Sequence, residues 1–200
     1  MKKLTPVFLM LAAVSSVPAY AEGKVATAAA NETKLGKLTA EYTKRYRLKQ
    51  YAEAIPIAEQ AVAMAEAAFG PDDEWVAQAL NDLGRLYESK GQLELAERSH
   101  AKALAIREQA PRAGPGVAQS MDNLAKVYLL QKRYAEAEAL YRRSLVVIGP
   151  QVPSNHPALL TILEPYAEAL RGDGKPEEAE AIEARIKRIR SEQRPGAGAH

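Results

Sequence analysis

The chain has 200 residues, 47% of them hydrophobic and 26% charged, with 27 Lys and Arg against 25 Asp and Glu and no cysteine. The lack of cysteine excludes a disulfide framework, a thiolate metal site and a lipid anchor on a cleavage-site cysteine, so stability must come from packing. Lys2 and Lys3 supply the whole basic excess, and the balanced remainder argues against nucleic acid as the partner.

Those two lysines precede an apolar block from Leu4 to Val17 and the small-residue signature Ala19-Tyr20-Ala21. That order is the pattern of a secretory signal peptide over residues 1–21, with cleavage expected after Ala21 and a soluble periplasmic or secreted product. The block is too short to span a membrane, which takes about 20 apolar residues. Residues 22–33 show no apolar periodicity and are expected to form a flexible tether.

A first helix is predicted over about 34–47, with Leu35, Leu38, Tyr42 and Tyr46 on one face. A second over 50–69 carries Ala54, Ile57, Ala58, Ala61, Met64 and Ala65 on one side. Pro56 within it should either delay its start or bend it. Gly70-Pro71 ends the pair, and Asp73 is placed to cap the next helix. Further helices are predicted over 75–89, 93–108, 117–130, 134–147, 158–170 and 176–191, separated by Gly91, by Gly114-Pro115-Gly116 and by the turn formers from Gly149 to Pro157. The last helix turns Glu180, Glu183, Arg185, Lys187, Arg188 and Arg190 outward, as a terminal unit requires. A glycine-rich tail over 192–200 is expected to be disordered.

The helices repeat in pairs. Aligned on Ala54, Ala96, Ala137 and Ala179, the units step by 42, 41 and 42 residues, and the clearest copy runs from Gln131 to Val147. A fixed period in this range marks a stacked array. The expected architecture is all-α: a right-handed superhelical solenoid of antiparallel helix pairs, with units at about 34–70, 75–112, 117–149 and 158–191. Each central alanine should sit where the helices of a unit cross, because a methyl group permits close approach.

The stretches Leu80-Asn-Asp-Leu-Gly-Arg-Leu-Tyr87, Gly91-Gln-Leu-Glu-Leu-Ala-Glu97 and Tyr134-Ala-Glu-Ala-Glu138 resemble the tetratricopeptide repeat, in the 42-residue form of kinesin light chains. Asn155-His156-Pro157-Ala158 is similar to the His-Pro that often precedes the first helix of a unit there. The resemblance covers about 34–191. It weakens in the first unit, at Glu41 and Arg45, and in the fourth, at Pro165 and Glu183.

Catalytic chemistry finds little support. Ser99, Ser120 and Ser144 fall in helices without a glycine-flanked elbow or a positioned base. His100, His156 and His200 do not converge at ligand spacing, so no metal or cofactor is expected. His100 stands where the next unit has Tyr141. No enzyme is predicted.

Binding remains. In a curved stack the first helices line the concave side, which offers Gln78, Asn81, Arg85 and Glu88 in unit two, Gln119, Asp122, Lys126 and Leu129 in unit three, and Thr161, Glu164 and Glu168 in unit four. The kinesin-light-chain resemblance implies that Asn81 and Asn123 hold a peptide backbone, an amide being both donor and acceptor. The expected function is an exported scaffold or adaptor that binds a peptide or helix segment of a cell-envelope protein. A self-associating structural module of an envelope assembly is the alternative, and a homo-oligomer would favour it.

Overall fold

The computed structural model describes residues 19–109 and 114–193, with side chains from residue 29 onward. Most of the expected signal peptide (1–18) and most of the expected tail (194–200) lie outside the described residues. Among the described residues eight α-helices follow one another: α1 (Ala19–Arg47), α2 (Tyr51–Phe69), α3 (Glu74–Ser89), α4 (Leu93–Glu108), α5 (Pro115–Leu130), α6 (Tyr134–Ile148), α7 (Leu160–Gly172) and α8 (Pro176–Glu192). Two short 3-10 turns, Gly149–Gln151 and Pro157–Leu159, lead from α6 into α7. No strand occurs among the described residues.

Each helix packs on its neighbours in sequence, so the chain forms a solenoid of four antiparallel pairs. The first helices also touch one another, α3 against α5 and α5 against α7, which makes them the inner row. Ala54, Ala96, Ala137 and Ala179 are completely buried at the crossings within the pairs. A larger side chain there would push the two helices apart.

The turn inside every pair is the same device. Lys49, Gly91, Lys132 and Gly174 all have positive φ, at 59°, 77°, 60° and 75°. The amide one residue later donates back five positions: Gln50 N to Arg45 O and Gln92 N to Tyr87 O at 2.9 Å, Arg133 N to Tyr128 O at 2.8 Å, Lys175 N to Leu170 O at 2.9 Å. A left-handed residue with this bond satisfies the orphan carbonyls of the first helix and reverses the chain in three residues.

One expectation is corrected and another narrowed. Residues 22–33 lie inside α1, not in a flexible tether. Ala26, Ala28, Ala29 and Ala30 are strong helix formers, and their propensity favours the helix where apolar periodicity is missing. Of the two outcomes expected of Pro56, the delayed start does not occur: α2 starts at Tyr51 and runs through the proline. In the first unit Leu35 and Tyr42 are the buried residues of α1, and Arg45 leaves the packing face to bind Glu41 and Glu53.

Candidate functional site

The inner row divides into three zones, and the expected groove residues fall in all of them. Between α1 and α3, Arg85 lies over the Tyr46 ring at 5.3 Å and pairs with Asp82 at 3.7 Å. Tyr42 donates its hydroxyl to Asp82 at 2.7 Å, and burial together with that carboxylate holds the Tyr42 phenol well above its usual range. Little space is left there for a ligand.

Between α3 and α5 the interface is polar and closed. Asn81 is only 2% exposed. Its amide donates to Ser120 Oγ at 3.0 Å, and its carbonyl oxygen meets His100 Nδ1 at 3.0 Å and the Asn123 amide at 3.5 Å. Asn81 is therefore a packing amide rather than a groove residue. Its partner His100 is completely buried, and burial with the nearby cations Arg85 and Lys126 pushes its imidazole down to about 4. A neutral ring with the proton on Nδ1 satisfies Asn81 and leaves Nε2 unpartnered. The ring lies against Gly84, where a Cβ would come within 2.5 Å of it, so glycine is what lets this histidine enter.

Arg107, at the end of α4, closes the same interface from the outside and is 4% exposed. It donates to Glu74 at 2.7 Å, Gln78 at 3.2 Å, Gln119 at 3.3 Å, Ser120 at 2.9 Å and the Gly116 carbonyl at 3.0 Å. Gln78 is thereby turned toward Arg107 and away from a ligand. Sequence reasoning missed this residue. The acceptors it gathers are spread over residues 74 to 120 and acquire meaning only once α3 and α5 are side by side.

Between α5 and α7 the surface opens into a groove of about 710 Å³. Gln119, Asp122, Asn123, Lys126 and Leu129 line it from α5, and Thr161, Pro165 and Glu168 from α7, with Tyr141 and Ile162 also in the lining. Six of the ten expected site residues thus meet in one cavity. Glu164 does not, because it turns to α8 and binds Arg190 at 2.8 Å.

The groove's polar groups are unevenly occupied. Lys126 is engaged by Glu88 of the preceding unit. Asp122 Oδ1 is buried without a hydrogen-bond partner. Burial pushes the Asp122 carboxyl up to about 6, against a smaller opposing pull from the nearby Ser144 hydroxyl, which itself donates to the Ala118 carbonyl at 3.5 Å. Glu168 makes no ion pair among the described residues. No three acidic, histidine or cysteine groups among the described residues converge where they could hold a metal ion.

A family model for the tetratricopeptide repeat matches residues 45–109, 101–148 and 116–192, which takes in most of the chain. The chain belongs to the tetratricopeptide repeat family. No curated protein matches it. Among solved structures, BtubC (BKLC) from P. vanneervenii superposes with a TM-score of 0.75 at 20% identity, over 85% of this chain and 67% of that one. A putative kinesin light chain from Podosopora anserina with nearly identical TPR-like repeats gives 0.74 at 22% identity, over 80% and 76%. At these identities the likeness concerns the fold. Tetratricopeptide arrays are typically non-catalytic scaffolds for protein partners, and no described helix is long and apolar enough to cross a membrane.

Proposed function

We propose that this tetratricopeptide protein is an exported adaptor that holds an extended segment of a cell-envelope partner in the groove between α5 and α7. The observation that carries the reading is the opening itself, since the other two interfaces of the inner row are filled by their own side chains. A 16-residue helix such as α5 is roughly 24 Å long, enough to accompany about seven residues of extended chain. Thr161 is exposed on the groove wall, so Thr161→Trp would obstruct the cavity without touching the core. Crosslinking to envelope extracts with the full chain as bait should capture partners that Thr161→Trp does not. Capture of the same partners by both would sink the groove reading.

Export is supported by Lys2, Lys3, the apolar block and Ala19-Tyr20-Ala21. Protein recovered from the periplasm or the medium should lack the mass of residues 1–21, and retention of full-length protein in the cytoplasm would contradict export. Self-association is favoured by a different feature, the outer face of α6, where Val146 is 72% exposed beside Arg142 and Arg143. Light scattering decides between the two, a monomer being expected of an adaptor.

A further inference from the structure

We infer that the α5–α7 groove selects its partner by a basic side chain, a lysine or arginine of the bound segment seated on Asp122 with Glu168 on the opposite wall. The inference rests on the groove reading above and adds the chemistry of what is recognised.

Asp122 occupies in α5 the place that Asn81 occupies in α3, each being the eighth residue of its helix. Asn81 is satisfied across the boundary by Ser120 of the next unit. One unit on, the place of Ser120 is taken by Ile162, which is buried and has no polar side-chain atom. The bond that closes one boundary is thus missing at the other, and Asp122 Oδ1 is left buried without a partner beside an open cavity. A desolvated carboxylate without a counter-charge is costly, and a cation brought by the ligand removes that cost.

The surroundings fit the same occupant. Lys126 is committed to Glu88 and does not neutralise Asp122. Glu168 adds a second negative charge across the groove. Pro165, which has no N–H, breaks one helical hydrogen bond of α7 where that helix lines the groove. Leu129, Leu130 and Ile148 supply apolar surface for the methylene stem of a long basic side chain. An acidic ligand group in the same place would meet two carboxylates and, among the described lining residues, no cation but the Glu88-paired Lys126.

The test pans random peptides displayed on phage against the full chain. Selected peptides are then resynthesised with lysine, arginine, citrulline or norleucine at any enriched basic position, and affinities are read by fluorescence polarisation. One basic position should dominate, and citrulline there should weaken binding by about tenfold or more. Asp122→Asn should bind the arginine and citrulline peptides alike, and Glu168→Gln should show a smaller loss of discrimination. Discrimination that survives in Asp122→Asn, or selected peptides without a basic position, overturns the inference. Thr161→Trp separates the two levels. If it binds the selected peptides as wild type does, the groove reading fails. If it loses them while arginine and citrulline peptides bind wild type equally, only the basic-residue inference fails. A panning that returns no binding peptide counts against both. Circular dichroism checks that each variant keeps its helical content.

Discussion

His100 on α4 and Asp122 on α5 belong to successive units, and burial shifts the two in opposite directions. The folded chain holds the His100 imidazole at about 4 against 6.5 for the free group, so the unfolded state takes up the proton first as the pH falls. Its share of stability, about 3 kcal/mol, is present above pH 6.5 and is lost between about 6.5 and 4. Asp122 is protonated at about 6 when folded and at 3.8 when free, so acidification between those values favours the folded state by a similar amount. The two contributions oppose each other over nearly the same window. Asp122→Asn removes one of them, so it should melt higher than wild type at pH 7 and lose that advantage as the pH approaches 4. Thermal melts of both proteins across this range check the expectation, and parallel pH profiles would contradict it.

The same pair marks what the sequence could and could not show at this scale. Helical periodicity puts Asn81, Asp122 and Lys126 on the inner face, where they are. Whether an inner-face amide meets a ligand or a neighbour depends on what the next unit places opposite it. Ser120 buries Asn81 and Ile162 leaves Asp122 open, and no pattern within one helix distinguishes these cases. Glu164 departs from the expected groove for a related reason: it belongs to the last unit, where Arg190 of α8 is its available partner.

At the scale of the element, the turns inside the pairs are uniform in geometry but not in residue. Gly91 and Gly174 adopt the left-handed conformation without strain, whereas Lys49 and Lys132 carry a Cβ into it. Lys132→Gly and Lys49→Gly should each stabilise the chain by about 0.5–1 kcal/mol, the strain relieved being partly offset by the greater freedom of glycine in the unfolded chain. Denaturant titration reads the gain directly, and a loss at either site would contradict the expectation. Helix identity is legible from the alanine period because burial at a crossing requires a small residue at fixed spacing. The start of α1 is not legible, since a helix held by alanine propensity leaves no apolar stripe to read.

Across the whole molecule, polar links recur from one unit to the next. Glu97 of α4 takes Arg133 from the following turn at 2.9 Å, and Glu138 of α6 takes Lys175 from the turn after that at 3.1 Å. Arg107 is the strongest of these links, joining α3, α4 and α5 through a buried guanidinium. Arg107→Ala strips Ser120 and the Gly116 carbonyl of a donor and should cost about 3 kcal/mol. Because a stack is stabilised by nearest-neighbour interfaces, the variant should also unfold less cooperatively, with α1–α4 and α5–α8 melting apart. Calorimetry checks this by comparing the calorimetric with the van't Hoff enthalpy, and one cooperative transition at the wild-type temperature would contradict it.

The three-residue turns within the pairs also govern where the chain can be lengthened. The second helices α2 and α6, of 19 and 15 residues, are followed by linkers 70–73 and 149–156, so the shorter helix is matched by the longer linker. These two linkers therefore take up differences in helix length, and an inserted peptide or tag at 149–156 should leave the register of both neighbours intact. One residue added at 90–92 or 131–133 has nowhere to go: it would rotate the second helix by about 100° and carry its buried alanine out of the crossing.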